Sequence, residues 1–330
     1  MARLALRIVY CLLALAVLCG GILTWGVAEY ARPGPLGAAT TVVVPRGTGL
    51  EAIALELTRA GVLSDPLVFR LGARITGADK RLRAGEYAFQ ANISPRQTVA
   101  LLESGKTVVR RLTVVEGLTT AEIIAQLRAT DGLEGNLGLL PTEGALLPET
   151  YHFSFGDTRQ AIVGRMAEAM RIALSDAWAA RNRELPLETP ESALILASII
   201  EKETAVPQER ARIAGVFINR LRKGMKLQSD PTVVYGLTGG KGPLGRPLTR
   251  ADLRAPSPYN TYLIAGLPPS PISNPGLASI AAALDPARTD ELYFVADGSG
   301  GHVFARTLSE HNRNVARWRK WRSEQRQGNK

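Results

Sequence analysis

At 330 residues, with 45% hydrophobic content, the chain is long enough for two domains with sizeable cores. Its formal net charge of +10, from 40 Lys+Arg against 30 Asp+Glu, fits an anionic partner such as nucleic acid, anionic lipid or an acidic polymer. No helix-turn-helix, zinc-finger or aromatic RNA-binding motif accompanies that charge, which argues against nucleic acid. The two cysteines, Cys11 and Cys19, both lie in the N-terminal apolar segment, so the remainder of the chain carries no disulfide and no thiol chemistry.

Residues 1–7 carry Arg3 and Arg7. Ile8 to Ala28 is then apolar and uncharged, about the length that spans a bilayer. Arginines before it and Glu29 after it predict a cytoplasmic N-terminus and a body on the other side. A cleaved signal peptide is the competing reading; the run is long for one, and Glu29-Tyr30-Ala31 is a poor cleavage site. Residues 29–39, with Pro33, Gly34, Pro35 and Gly37, read as a linker.

Residues 40–114 read as a small α+β module. Val42-Val43-Val44 forms a strand. A Gly47-Thr48-Gly49 turn leads into an amphipathic helix from Leu50 to Ala60, with Ile53, Leu57 and Val62 on its inner side. Ser64-Asp65-Pro66 opens a second helix to about Thr76. Gly85 to Phe89 alternates like a strand, Ser94-Pro95 opens a short helix, and Thr107 to Val115 reads as a further strand.

Residues 115–330 form the second predicted domain, also α+β. Thr119-Thr120-Ala121-Glu122 starts a helix. Glu143, Glu149 and Tyr151 either line a cleft or satisfy backbone donors in a loop. Asp157 is expected to cap a long helix to about Arg183, with Ile162, Met166, Met170 and Leu174 as a core stripe. Thr189-Pro190 then starts a helix that is apolar on every side and ends in Glu201-Lys202-Glu203-Thr204. A carboxyl at the end of a buried helix loses hydration, and that raises its pKa toward the range a general acid needs. Glu201 fits this description, although a buried glutamate can equally be satisfied by Arg or Lys. Glu203 lies roughly 200° around the helix from Glu201, so the two carboxylates cannot face one spot.

Pro207-Gln208-Glu209 opens the next helix, which runs to Gly224. The polar cluster Gln228-Ser229-Asp230 then feeds what the β-branched Thr232-Val233-Val234-Tyr235 predicts to be a strand. Thr238 to Pro247 is a glycine-rich loop without the ending of a nucleotide-binding loop. Tyr259-Asn260-Thr261-Tyr262 offers aromatic faces and an amide, groups that suit sugar rings and acetamido substituents; by residue type alone a tyrosine-rich turn packed on the core is the stronger reading. Leu292 to Phe304 reads as a hairpin around Gly298–Gly301, and a basic helix follows from Leu308. The three histidines, His152, His302 and His311, have no metal-ligand spacing, so no metal and no cofactor is expected.

The second domain resembles the endolytic murein transglycosylases of the MltG/YceG-like family. The resemblance rests on Ala197-Ser198-Ile199-Ile200-Glu201-Lys202-Glu203-Thr204, Val216-Phe217-Ile218-Asn219-Arg220-Leu221 and Leu227-Gln228-Ser229-Asp230-Pro231-Thr232-Val233-Val234-Tyr235-Gly236. It continues through Pro258-Tyr259-Asn260-Thr261-Tyr262, Gly266-Leu267-Pro268-Pro269, Ile272-Ser273-Asn274-Pro275-Gly276 and His302-Val303-Phe304. Residues 40–114 resemble, more weakly, a LysM-like module; a glycan grip and a plain spacer are the two readings of it.

The resemblance implies a lyase that cuts the β-1,4 bond between N-acetylmuramic acid and N-acetylglucosamine without water and leaves 1,6-anhydro ends. It implies Glu201 as the catalytic residue, acting first as acid and then as base. Gln228, Ser229, Asp230, Thr232, Tyr235, Tyr259 and Asn260 are the expected substrate contacts. Expected partners are peptidoglycan strands, the membrane through the N-terminal helix, and peptidoglycan synthases. The expected place is the cell membrane, with the catalytic body outside. Two alternatives stand beside this: a hydrolytic muramidase pairing Glu201 with Asp230, and a non-catalytic glycan-binding scaffold.

Overall fold

The computed structural model describes residues 2–328 and has a mixed α+β architecture in two compact units. The first runs through Arg110 and also takes in His152–Asp157. The second comprises Arg111–Tyr151 and the chain from Thr158 onward.

The first unit begins with helix α1, Ala2–Ala31. Its stretch Leu6–Ala31 is long and apolar enough to cross a membrane, which makes it a candidate anchor. Strand β1, Thr40–Val44, pairs antiparallel with β2, Gly85–Phe89, in the register Val42↔Tyr87. Between them lie α2, Leu50–Arg59, and α3, Pro66–Ile75; α4, Pro95–Ser104, follows β2. Two of the helix starts have a readable cause. Asp65 accepts from the Leu67 N–H ahead of α3, and Ser94 with Gln97 forms a reciprocal capping box ahead of α4. The unit's core gathers Ile53, Leu57, Phe69, Tyr87, Phe89 and Leu102.

In the second unit come α5, Thr120–Ala129, and α6, Arg159–Ala179. Then follow α7, Pro190–Glu203, α8, Arg210–Arg222, and α9, Asp230–Thr238. The last helices are α10, Leu277–Leu284, and α11, Leu308–Gly328. Helix α7 is the centre of the unit. Ala193 to Ile200 is buried without interruption, packed by α6, α8 and α10. Each fully buried Leu or Ile there contributes about 1.5–3 kcal/mol, so Leu196→Ala would cost about 2–5 kcal/mol including its cavity. The antiparallel hairpin Tyr293–Ala296 and His302–Ala305 packs against α8 and α11.

Three local expectations are corrected. Residues 232–235 are helical, as part of α9. Pro231 stands in the first turn, Gly239 ends the helix in the left-handed region, and the Thr232 hydroxyl is satisfied by the Ser229 carbonyl. These end signals and the buried hydrogen bond override the weak strand preference of two valines and a threonine. Helix α6 is capped by Thr158, because Asp157 instead accepts the Ser154 N–H in the preceding turn. The strand expected over Thr107–Val115 is confined to Arg110–Thr113.

Candidate active site

The end of α7 sends its two carboxylates into different surroundings. Glu201 is a knot between loops. Its Oε2 accepts the Gly276 N–H at 2.9 Å, and its Oε1 lies 3.5 Å from the Arg210 guanidinium. The same guanidinium stands 3.5 Å from Glu116, whose carboxyl is pushed up by burial and by the nearby Glu201 charge. Gly276 has to be glycine here, since a Cβ would come within 1.8 Å of the Glu116 carboxylate. The Glu201 side chain keeps only 5% of its exposure.

Glu203 instead borders a cleft of 470 Å³, together with Arg220, Gln228, Asp230, Tyr262 and His302. Its Oε1 accepts the Ser229 hydroxyl at 2.5 Å. Burial pushes the Glu203 carboxyl up to about 7. The Ser229 hydrogen bond and the charges of His302 and Arg220 oppose the rise, and Asp230 adds to it. Glu203 thus holds a proton near neutrality and can release it, the property required of a general acid that must also serve as base.

The surrounding groups are held in turn. Asp230 begins α9 and accepts the Tyr262 hydroxyl at 2.6 Å. Arg220 crosses from α8 to donate to the Leu292 carbonyl at 2.6 Å and the Leu227 carbonyl at 2.8 Å, tying the hairpin to the cleft floor. His302 puts Nδ1 2.7 Å from Glu209 and donates its backbone N–H to the same carboxylate at 2.8 Å. That pairing leaves Nε2 as the ring nitrogen without a role in the pair. His311 completes the wall from α11, stacked on Tyr293 with centroids 5.2 Å apart.

A second cavity of 310 Å³, lined by Thr119, Lys202, Asp230, Pro231, Tyr235 and Ile272, shares Asp230 with the first.

The expected contact residues divide. Gln228, with φ +51°, lies exposed along the cleft, and Asp230 lines both cavities. Ser229 reaches the site through Glu203. Tyr235 lines the second cavity, donates to Glu143 at 3.2 Å and packs on Tyr259 with ring centroids 4.8 Å apart. Tyr259 in turn shares a hydrogen bond with Ser270 at 2.6 Å. Thr232 and Asn260 are buried. Thr232 bonds Ser229 and Thr261, while Asn260 donates to the Leu253 and Ala255 carbonyls. Glu143 accepts from Thr120, Asn274 and Tyr235, so it satisfies donors within the fold, and burial raises its pKa. Tyr151 donates to the Leu147 carbonyl, and burial pushes its phenol up to about 12.

The sequence reading missed Arg220, Tyr262, His302 and His311 as members of one site. For Arg220, Tyr262 and His302 the only signal was membership of the motifs, and His311 had none, since the four come from α8, a loop, the hairpin and α11.

A profile of the YceG-like family matches residues 42–317. The chain belongs to that family. A Bacillus subtilis relative, called an endolytic murein transglycosylase, is 31% identical over 90% of both chains. A Streptococcus pneumoniae protein of the same name is 30% identical over 84% of this chain, which spans only 58% of that relative's length. Among solved structures, a yceG-like protein from Listeria monocytogenes superposes with a TM-score of 0.53 at 32% identity, covering 83% of this chain and 98% of the other. The YceG-like match includes the whole cleft, from Glu203 through Val315.

Proposed function

We propose that the protein is an endolytic lytic transglycosylase of peptidoglycan, with Glu203 as its single acid and base. The observation that carries the assignment is the Glu203 carboxyl on the cleft with its affinity for protons raised to about 7. The name borne by its relatives supplies the substrate. Protonated Glu203 donates to the glycosidic oxygen between N-acetylmuramic acid and N-acetylglucosamine, and the C1–O bond breaks. The resulting carboxylate takes the proton of the muramoyl C6 hydroxyl as O6 bonds to C1. A 1,6-anhydro ring closes, no water is consumed, and Glu203 is again protonated. The Asp230 carboxylate, held by Tyr262, favours the positive charge that develops at C1.

The family resemblance put the acid at Glu201. Its bonds to Gly276 and Arg210 favour a structural role for it, so the two assignments are separated by experiment. Purified protein would digest peptidoglycan beside Glu203→Gln and Glu201→Gln, with products read by mass spectrometry. Anhydro-muramoyl ends from wild type and folded Glu201→Gln, but not from Glu203→Gln, are expected. The reverse pattern returns the role to Glu201. Reducing ends indicate a muramidase using Asp230, and intact glycan from every folded form indicates a binding scaffold.

Helix α1 would tether the body to the cell membrane, with Arg3 and Arg7 holding the N-terminus on the cytoplasmic side. Substrate would then be nascent strands close to the bilayer, and their cleavage would end glycan elongation beside the synthases. The strand–helix–helix–strand order of residues 40–89, closed by the antiparallel β1–β2 pair, supports a LysM-like reading of the first unit.

A further inference from the structure

Helix α3 is apolar on both sides. Phe69 and Ala73 face the core of the first unit and are fully buried. On the opposite side Leu67, Leu71 and Ile75 form an i, i+4, i+8 stripe, exposed by 52%, 47% and 83%. A ten-residue helix with large aliphatic side chains open on its outer face leaves them largely uncovered among the described residues.

The stripe is continuous with α1. Gly72 of α3 packs on the Tyr30 ring so closely that a Cβ there would come within 2.2 Å of it. The two helices together line one apolar groove of 380 Å³, to which Ile22, Trp25 and Val27 contribute from α1 and Leu67, Leu71 and Ile75 from α3. Trp25 and Tyr30 are the residue types that sit at the edge of the hydrocarbon layer, and both lie near the end of the candidate span. Arg74 is exposed and borders the stripe on α3, where its long stem can carry its charge out to lipid phosphates.

We propose that α3 lies along the lipid–water boundary, with Leu67, Leu71 and Ile75 in the acyl region and Arg74 among the headgroups. The occupant of this face is the bilayer that α1 enters, so the proposal rests on α1 being a span. The first unit then has two attachments to the membrane, a crossing helix and a surface helix packed against it. A single helix would leave the unit free to swivel; the second contact fixes which of its sides faces the lipid.

The test uses the full chain in lipid nanodiscs containing doxyl-labelled lipids, with a polarity-sensitive fluorophore on single cysteines. Cys11→Ala leaves native Cys19 to report on α1. Ile75→Cys and, separately, Leu71→Cys in a Cys11→Ala/Cys19→Ala background report on α3. Glu56→Cys in the same background, exposed on α2, is the water-facing control. The expected result is blue-shifted emission at positions 75 and 71, with several-fold greater quenching by shallow doxyl lipids than at position 56, and quenching of Cys19 by deep ones. Quenching of Cys19 with water-like emission at 75 and 71 would overturn the proposal and leave the span intact. An unquenched Cys19 removes the span and the proposal with it. Blue-shifted emission at 75 and 71 without doxyl quenching assigns the face to a protein contact, a second copy included, and also overturns it.

Discussion

Glu201 and Glu203 are two residues apart at the end of one helix, and their surroundings differ in kind. Around Glu201 are a backbone N–H, a guanidinium and a second carboxylate that shares it. The result is a closed structural network in which the charge is compensated. Around Glu203 are a hydroxyl, an aspartate and open cleft, and the charges of Arg220 and His302 do not offset what burial does to its carboxyl. Burial alone therefore does not make a general acid. Glu201 is held by fixed partners, a backbone N–H and a guanidinium, whereas burial beside the cleft raises the Glu203 carboxyl to about 7.

The largest effect that sharpens this contrast is on catalysis. Glu203→Gln should lower the rate of anhydro-end formation by roughly 10²–10⁴ or more, with the melting temperature little changed. Glu201→Gln should retain cleavage and lose about 1–3 kcal/mol of stability in denaturant unfolding, because Arg210 loses one of its two charged partners. The next effect is on stability. Arg210→Ala should cost about 3–5 kcal/mol by leaving Glu201 and Glu116 facing each other without a cation, again measured by unfolding.

A pH series follows. The folded Glu203 carboxyl is raised from an ordinary 4.5 to about 7, so the folded state binds its proton more tightly than the unfolded chain does. Its contribution is complete below pH 4.5 and is lost as pH rises to about 7. Wild type should therefore lose up to about 3 kcal/mol of unfolding free energy relative to Glu203→Gln across that window. The rate should fall above pH 7, since the acid must enter protonated.

The smallest effect is a shift of that limb. Asp230→Asn removes a charge that raises the Glu203 pKa, so the falling limb of kcat/KM should move to lower pH by a fraction of a unit. An unmoved limb would mean that a group other than Glu203 titrates in the profile, and the contrast between the two glutamates would then break.

Much of the local structure could be read from residue types alone. Thr189-Pro190 marks the start of α7, and Thr119 with Glu122 marks that of α5, because caps are decided within a few residues. The divergence of Glu201 and Glu203 around the helix follows from 3.6 residues per turn. Helix α9 was illegible because its valines favour a strand, while the hydrogen bonds that stabilise the helix involve Thr261, distant in sequence. Asn260 reads as a sugar ligand by type, yet its amide is spent on two carbonyls of a loop.

The sequence by itself determined the apolar N-terminal helix, the buried helix with a carboxylate pair at its end, and the motifs of the YceG-like family. Those depend on periodicity and short-range sterics. Which glutamate meets a guanidinium and which meets the cleft was decided only in three dimensions. Arg210 and Gly276 reach Glu201 from positions 9 and 75 residues away, and Ser229 reaches Glu203 from 26. A proton's affinity for a carboxyl is set by what surrounds it in space, and no local pattern encodes that.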